Sequence, residues 1–133
     1  MIEFLRRVAL PLWADGRGGT TMEFGLVALP LTMLLIGVVE FGTVVRMKSA
    51  LQYATAKTAR CVVVDATLCG TTGNAKAYAL TQLMGISVPA SAFSITTEAC
   101  GRRVTASAPF PGVTHHLIPS SITVTASTCF PPL

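Results

Sequence analysis

Phe24 to Val45 reads FGLVALPLTMLLIGVVEFGTVV, a run whose one charge, Glu40, comes late, before Arg46 ends it. About 20 predominantly apolar residues cross the hydrocarbon of a bilayer as a helix, so the run is long enough for one crossing. A secretory signal has a shorter apolar core and a small-x-small cleavage site. Here the run is followed by Arg46-Met47-Lys48, so the segment is expected to stay in the mature chain. Residues 19–45 are therefore read as a transmembrane helix, residues 1–18 as a cytoplasmic leader and 46–133 as an extracytoplasmic domain. The leader carries Glu3, Arg6, Arg7, Asp15 and Arg17 around a short apolar patch, too charged to span.

The helical pattern continues past Arg46. Met47, Ala50, Leu51, Ala54, Thr58, Cys61 and Val62 recur at three- and four-residue steps, with Lys48, Gln52 and Lys57 elsewhere. One helix from Thr20 to about Val64 is expected, its later part offering an apolar stripe to pack on. A turn at Gly70–Gly73 follows. Asn74 is expected to cap a short helix with Ala75, Tyr78, Ala79, Gln82 and Leu83 on one face and Gly85 as its stop. Phe93–Ala99, Arg103–Phe110 and Ile122–Thr128 alternate apolar or small residues with Ser, Thr or Glu, the pattern of a three-stranded antiparallel sheet. Pro109, Pro111, Gly112 and Pro119 make the last connection a loop and not a tight hairpin. The expected fold class is α+β: a long transmembrane helix leading into a small extracytoplasmic domain with one short helix and a three-stranded antiparallel sheet.

All four cysteines, Cys61, Cys69, Cys100 and Cys129, follow the apolar run, and an even count in a short chain points to two disulfides outside the reducing cytosol. Charge alone does not orient the helix, since Arg6, Arg7 and Arg17 face Arg46, Lys48, Lys57 and Arg60 across it. The cysteines favour a chain with its N-terminus cytoplasmic and its C-terminal part outside the cytosol. In an antiparallel pair the start of the second strand lies beside the end of the third, which makes Cys100 and Cys129 neighbours. A Cys61–Cys69 bridge requires the helix to end near Val64 and the chain to double back. These pairings are preferred, and the other two connectivities stay open.

Composition excludes several function classes. With 133 residues the chain holds one small domain beside the helix, and 51% hydrophobic against 12% charged residues leaves apolar surface for lipid or partners. A net charge of +4 with no basic run longer than two residues argues against nucleic-acid binding. The cysteines form no CxxC pair, and His115-His116 lacks a third ligand, so neither metal nor cofactor is expected. Six acids and two histidines assemble no Ser/His/Asp arrangement or paired-carboxylate pocket, so the chain is expected not to be an enzyme and to have no catalytic residue.

The membrane boundary carries the most specific pattern. In Arg17-Gly18-Gly19-Thr20-Thr21-Met22-Glu23-Phe24-Gly25 an acid lies just inside the apolar run, where an unpartnered carboxylate is costly. Thr20 and Glu23 fit the spacing of a helix capping box. The stretch also resembles the processing site of type IV prepilins and Flp-type pilins, in which a glycine precedes the cut, glutamate is the fifth residue of the product and Phe or Tyr follows. Taken together with Gly37-Val-Val-Glu-Phe-Gly and Ala50-Leu-Gln-Tyr-Ala-Thr-Ala-Lys-Thr-Ala-Arg60, it is similar to the TadE/TadG-like family, over roughly Gly16 to Val64. That resemblance implies a pseudopilin or minor pilin of a bacterial tight-adherence (Tad, Flp) pilus or secretion system. It also implies a prepilin peptidase that cuts between Gly18 and Gly19. Glu23 would then neutralise the new Gly19 amine of a neighbouring subunit, with Phe24 beside it. The implied partners are lipid, the major Flp-type pilin, other minor pilins and Tad platform proteins. The pair Gly18-Gly19 permits a cut after either glycine, and only the first makes Glu23 fifth. Among other residues, Glu40 is read as the outer lipid boundary, and Pro30 as a bend in the helix.

Overall fold

A computed structural model describes residues 19–110, 112 and 122–132. Its order is α1 (Gly19–Val64), α2 (Ala66–Cys69), α3 (Thr72–Thr81), a 3-10 turn (Ala90–Ala92), β1 (Phe93–Glu98), β2 (Gly101–Pro109) and β3 (Thr123–Phe130). The α+β class and the three-stranded antiparallel sheet agree with the reading of the sequence. The chain divides into two units, one ending at Val39 and one running from Glu40 to Leu133.

In the first unit the helix is unbroken through Pro30. From Thr21 to Val39 every side chain is exposed except Ala28, which is half-buried. The helix is long and apolar enough to cross a membrane. Thr32, in the same run, donates its hydroxyl to the Leu29 carbonyl at 2.9 Å, so this polar side chain is satisfied within the helix.

The second unit owes its core to two periodicities. On α1, Met47, Ala50, Leu51, Ala54, Thr55, Thr58, Ala59 and Cys61 are buried, the three-and-four-residue stripe of a packed helix face. On the sheet the period is two: Val104, Ala106 and Ala108 of β2 and Val124 and Ala126 of β3 are buried, and their neighbours face outward. The register pairs Ala106 with Ala126 and Ala108 with Val124, and on the other side Phe93 with Ala106 and Ile95 with Val104. Small side chains on both helix and sheet fill a thin core into which Phe93, Leu51 and Leu83 are fully inserted. Thr55 donates to the Gln52 carbonyl at 2.9 Å, and its oxygen lies 3.1 Å from the Thr128 hydroxyl, a polar bond from helix to sheet. Thr58 is equally buried but has no hydrogen-bond partner among the described residues.

Several boundaries differ from expectation for local reasons. The short helix starts at Thr72, because Thr71 takes the cap position and its hydroxyl accepts from the Asn74 N–H at 3.2 Å; Asn74 lies inside the helix and does not cap it. The helix ends at Thr81, before Gly85. Met84 and Gly85, both at positive φ (50° and 84°), form a tight turn closed by the Ile86 N–H on the Leu83 carbonyl at 3.1 Å. β2 begins at Gly101 and β3 runs to Phe130, since Arg102 pairs with Phe130. Gly101, at φ 116°, admits no side chain: a Cβ would meet the Phe130 carbonyl oxygen. Of the loop from β2 to β3, residues 111 and 113–121, with His115 and His116, lie outside the described residues.

Candidate functional site at the start of the long helix

Gly18 and the leader lie outside the described residues, as does the side chain of Thr20. From Gly19 onward the backbone is helical, which places Thr20 second and Glu23 fifth in α1. Residues four apart on a helix stand one above the other, so Gly19 and Glu23 share a face, one turn apart. Gly19 and Glu23 are exposed, as are Met22 and Phe24, each 73% exposed. The site is thus an outward-facing patch on one helix with an acid among large apolar groups. Such a patch can pair a charge on a neighbour or meet lipid with its apolar part; it encloses no substrate.

Glu40 opens the second unit and is half-buried. Its carboxylate lies by the backbone of Gly112, close enough that a Cβ there would stand 3.3 Å from Oε1, and its carbonyl accepts the Thr43 hydroxyl at 2.7 Å. The reading of Glu40 as a lipid-boundary residue did not anticipate this place beside Gly112.

The structure bonds Cys61 to Cys69, with Cα atoms 5.8 Å apart, and Cys100 to Cys129, with Cα atoms 6.2 Å apart. The first bridge depends on a residue that sequence reasoning missed. Asp65 ends α1 and caps α2: its Oδ1 accepts the N–H of Thr67 and of Leu68, each at 3.0 Å, and the Thr67 hydroxyl at 2.6 Å. That turn folds Cys69 back against the end of α1. The Thr67 hydroxyl, then the Leu68 N–H, hold the Asp65 carboxyl below its ordinary value. The signal was available in Asp65-Ala-Thr67, an acid followed two residues on by a hydroxyl. The second bridge joins the turn entering β2 to the far end of β3, beside Arg103, whose Nε meets Glu98 at 2.7 Å on the outer face.

Among the described residues no three His, Cys, Asp or Glu side chains come together in a metal-binding group. No curated protein and no solved structure matches the chain. A family model described as TadE-like protein matches residues 18–60, which takes in the second glycine of Gly16-Arg17-Gly18, the acid Glu23, the exposed apolar run and the buried stripe up to Arg60. The match ends one residue before Cys61, so the disulfide-bearing remainder of the chain lies beyond it. Over residues 18–60, 43 of its 133 residues, the chain is thus similar to the TadE-like family.

Proposed function

We propose that this chain is a pseudopilin or minor pilin that takes part in assembling a Tad (Flp-type) pilus or secretion system. The observation that carries the reading is the TadE-like match across residues 18–60, coincident with an exposed apolar helix that has Glu23 one turn above Gly19. In this reading the leader 1–18 stays cytoplasmic and a prepilin peptidase cuts after Gly18. The helix of residues 19–45 first lies in the inner membrane and then packs among the helices of the major pilin, other minor pilins or platform proteins. A carboxylate buried among apolar helices needs a positive partner, and the freed Gly19 amine of a neighbouring subunit supplies one. Residues 46–133 are periplasmic, where disulfides persist, and cap, initiate or decorate the filament. The role is structural, with no catalytic step.

The test is complementation of a deletion strain with the full chain or with Glu23→Ala, scoring pili by electron microscopy and the protein by membrane fractionation. The reading expects the variant to be present in the membrane at the wild-type level but to restore few or no pili. Full piliation by Glu23→Ala, or normal piliation in the deletion strain itself, would favour a bitopic envelope scaffold that never enters a filament.

A further inference from the structure

The two disulfides lie in opposite surroundings. Cys61 and Cys69 are 9% and 1% exposed and pack with Ala75 in a small apolar cluster, which closes their sulfurs to an attacking group. Cys100 is exposed and Cys129 half-buried, in the row where Thr96, Arg103 and Cys129 stand side by side across the sheet. A cation stands beside this open bridge. Arg103 gives its Nε to Glu98 at 2.7 Å, which holds the guanidinium in place, and its Nη2 donates to Cys100 Sγ at 3.8 Å. The neighbouring Arg102 donates instead to Thr97 Oγ1 at 2.6 Å. A cation beside a sulfur stabilises its thiolate, and the thiolate is the group that leaves when a disulfide is exchanged.

We propose that Cys100–Cys129 is a thiol-exchange site whose co-substrate is a free thiol. The incoming thiolate attacks Cys129 Sγ and forms a mixed disulfide with it; the Cys100–Cys129 bond breaks, and its electron pair stays on Cys100 Sγ, which Arg103 Nη2 faces. A second thiolate then attacks the first thiol's sulfur and releases the Cys129 thiolate. The two cysteines take up the protons that the two thiols lose, so the bridge is reduced to two thiols as two thiols are oxidised to one disulfide. Exposed disulfides are the labile ones, and here exposure and the cation coincide on one bridge and not on the other. The bridge also lies at the last pairs of the β2–β3 ladder, Arg102 with Phe130 and Arg103 with Cys129, beyond the buried Val104, Ala106, Ala108, Val124 and Ala126. Opening it frees a strand end and leaves those packed pairs in place. The inference rests on neither the membrane reading nor filament assembly.

The experiment treats the full chain in mild detergent with glutathione or with reduced thioredoxin at equal thiol concentration, traps freed cysteines by alkylation over time and assigns them by peptide mass spectrometry. Cys100 and Cys129 are expected to be labelled roughly tenfold faster than Cys61 and Cys69, a difference that should vanish in strong denaturant. A faster reaction with glutathione would identify a small thiol as the source, and a faster one with thioredoxin a protein dithiol. Arg103→Gln should slow the opening of Cys100–Cys129 roughly threefold, the effect of about one pKa unit on the leaving sulfur. Glu98→Gln, which breaks the same ion pair but keeps the cation, should not slow it. A merely structural arginine would give the opposite sign, since its loss would loosen the strand end and speed opening. Labelling of Cys61 and Cys69 first, or of all four cysteines at one rate in the folded chain, would overturn the site. Opening in Arg103→Gln as fast as in the wild type, or faster, would overturn the role of the arginine.

Discussion

Between Thr21 and Val39 the chain sets large apolar side chains in the open: Phe24, Leu26, Met33 and Val38 are all more than half exposed. Between Met47 and Cys61 the same helix buries its stripe almost completely, with Leu51, Ala54, Thr55, Thr58 and Ala59 fully covered. Composition separates the two stretches in part: residues 21–39 hold five Leu, three Val and no basic residue, whereas residues 47–61 hold four Ala, one Leu, no Val and three basic residues. Periodicity separates them further. Polar residues recur around the helix after Arg46 and leave one apolar face for a sheet, whereas before Glu40 the apolar residues go all round, which suits a solvent that is itself apolar. Stability in the one region comes from packing, and in the other from the medium.

The largest contrast is expected from matched aromatic truncations. Phe93→Ala removes the largest fully buried side chain and should cost about 3–5 kcal/mol, whereas Phe24→Ala should leave the unfolding of the domain unchanged; thermal unfolding of the full chain in mild detergent reads both. Equal effects would erase the distinction between packed and lipid-facing stretches. The disulfides come next. Replacing Cys100 and Cys129 by alanine opens a loop with a sequence separation of 29 and should cost about 3.5 kcal/mol, while replacing Cys61 and Cys69, separated by 8, should cost about 2.5 kcal/mol, read by denaturant unfolding.

Leu34→Arg should be of similar size but act on the other region. A cation at the middle of the apolar run costs roughly 3 kcal/mol of insertion, so carbonate extraction should release the variant from membranes that retain the wild type. The smallest effect is a pH dependence at Asp65. Its carboxyl titrates below the ordinary value when folded, so its ionised form contributes stability above the unfolded pKa, and that contribution is lost as pH falls through the folded pKa. Acid titration of unfolding should therefore show a loss in the wild type that Asp65→Asn does not show.

The architecture was legible because it rests on long-period signals. The apolar run, the stripe ending near Val64 and three alternating segments each recur over many residues, and all three survive in the structure. What was not legible depends on single atoms or on partners distant in sequence. Thr55 looks like a solvated position until Thr128 is placed 3.1 Å away by a strand 73 residues later. Asn74 and Thr71 are equally good caps by type, and only the helix start distinguishes them. The extra residues of β2 and β3 exist because Arg102 meets Phe130 across the ladder, a pairing that no local pattern announces. At the candidate site the glycine and Glu23 spacing was readable as a resemblance. Burial could not add to it, since an exposed helix face has no neighbours in one copy of the chain.

The central claim is pilin-type processing, and its most direct test is intact mass and N-terminal sequencing of the protein from its native membrane, with and without the prepilin peptidase. The account predicts a chain that begins at Gly19 when the peptidase is present and retains residues 1–18 when it is absent. A chain that begins at Met1 in both strains would contradict it.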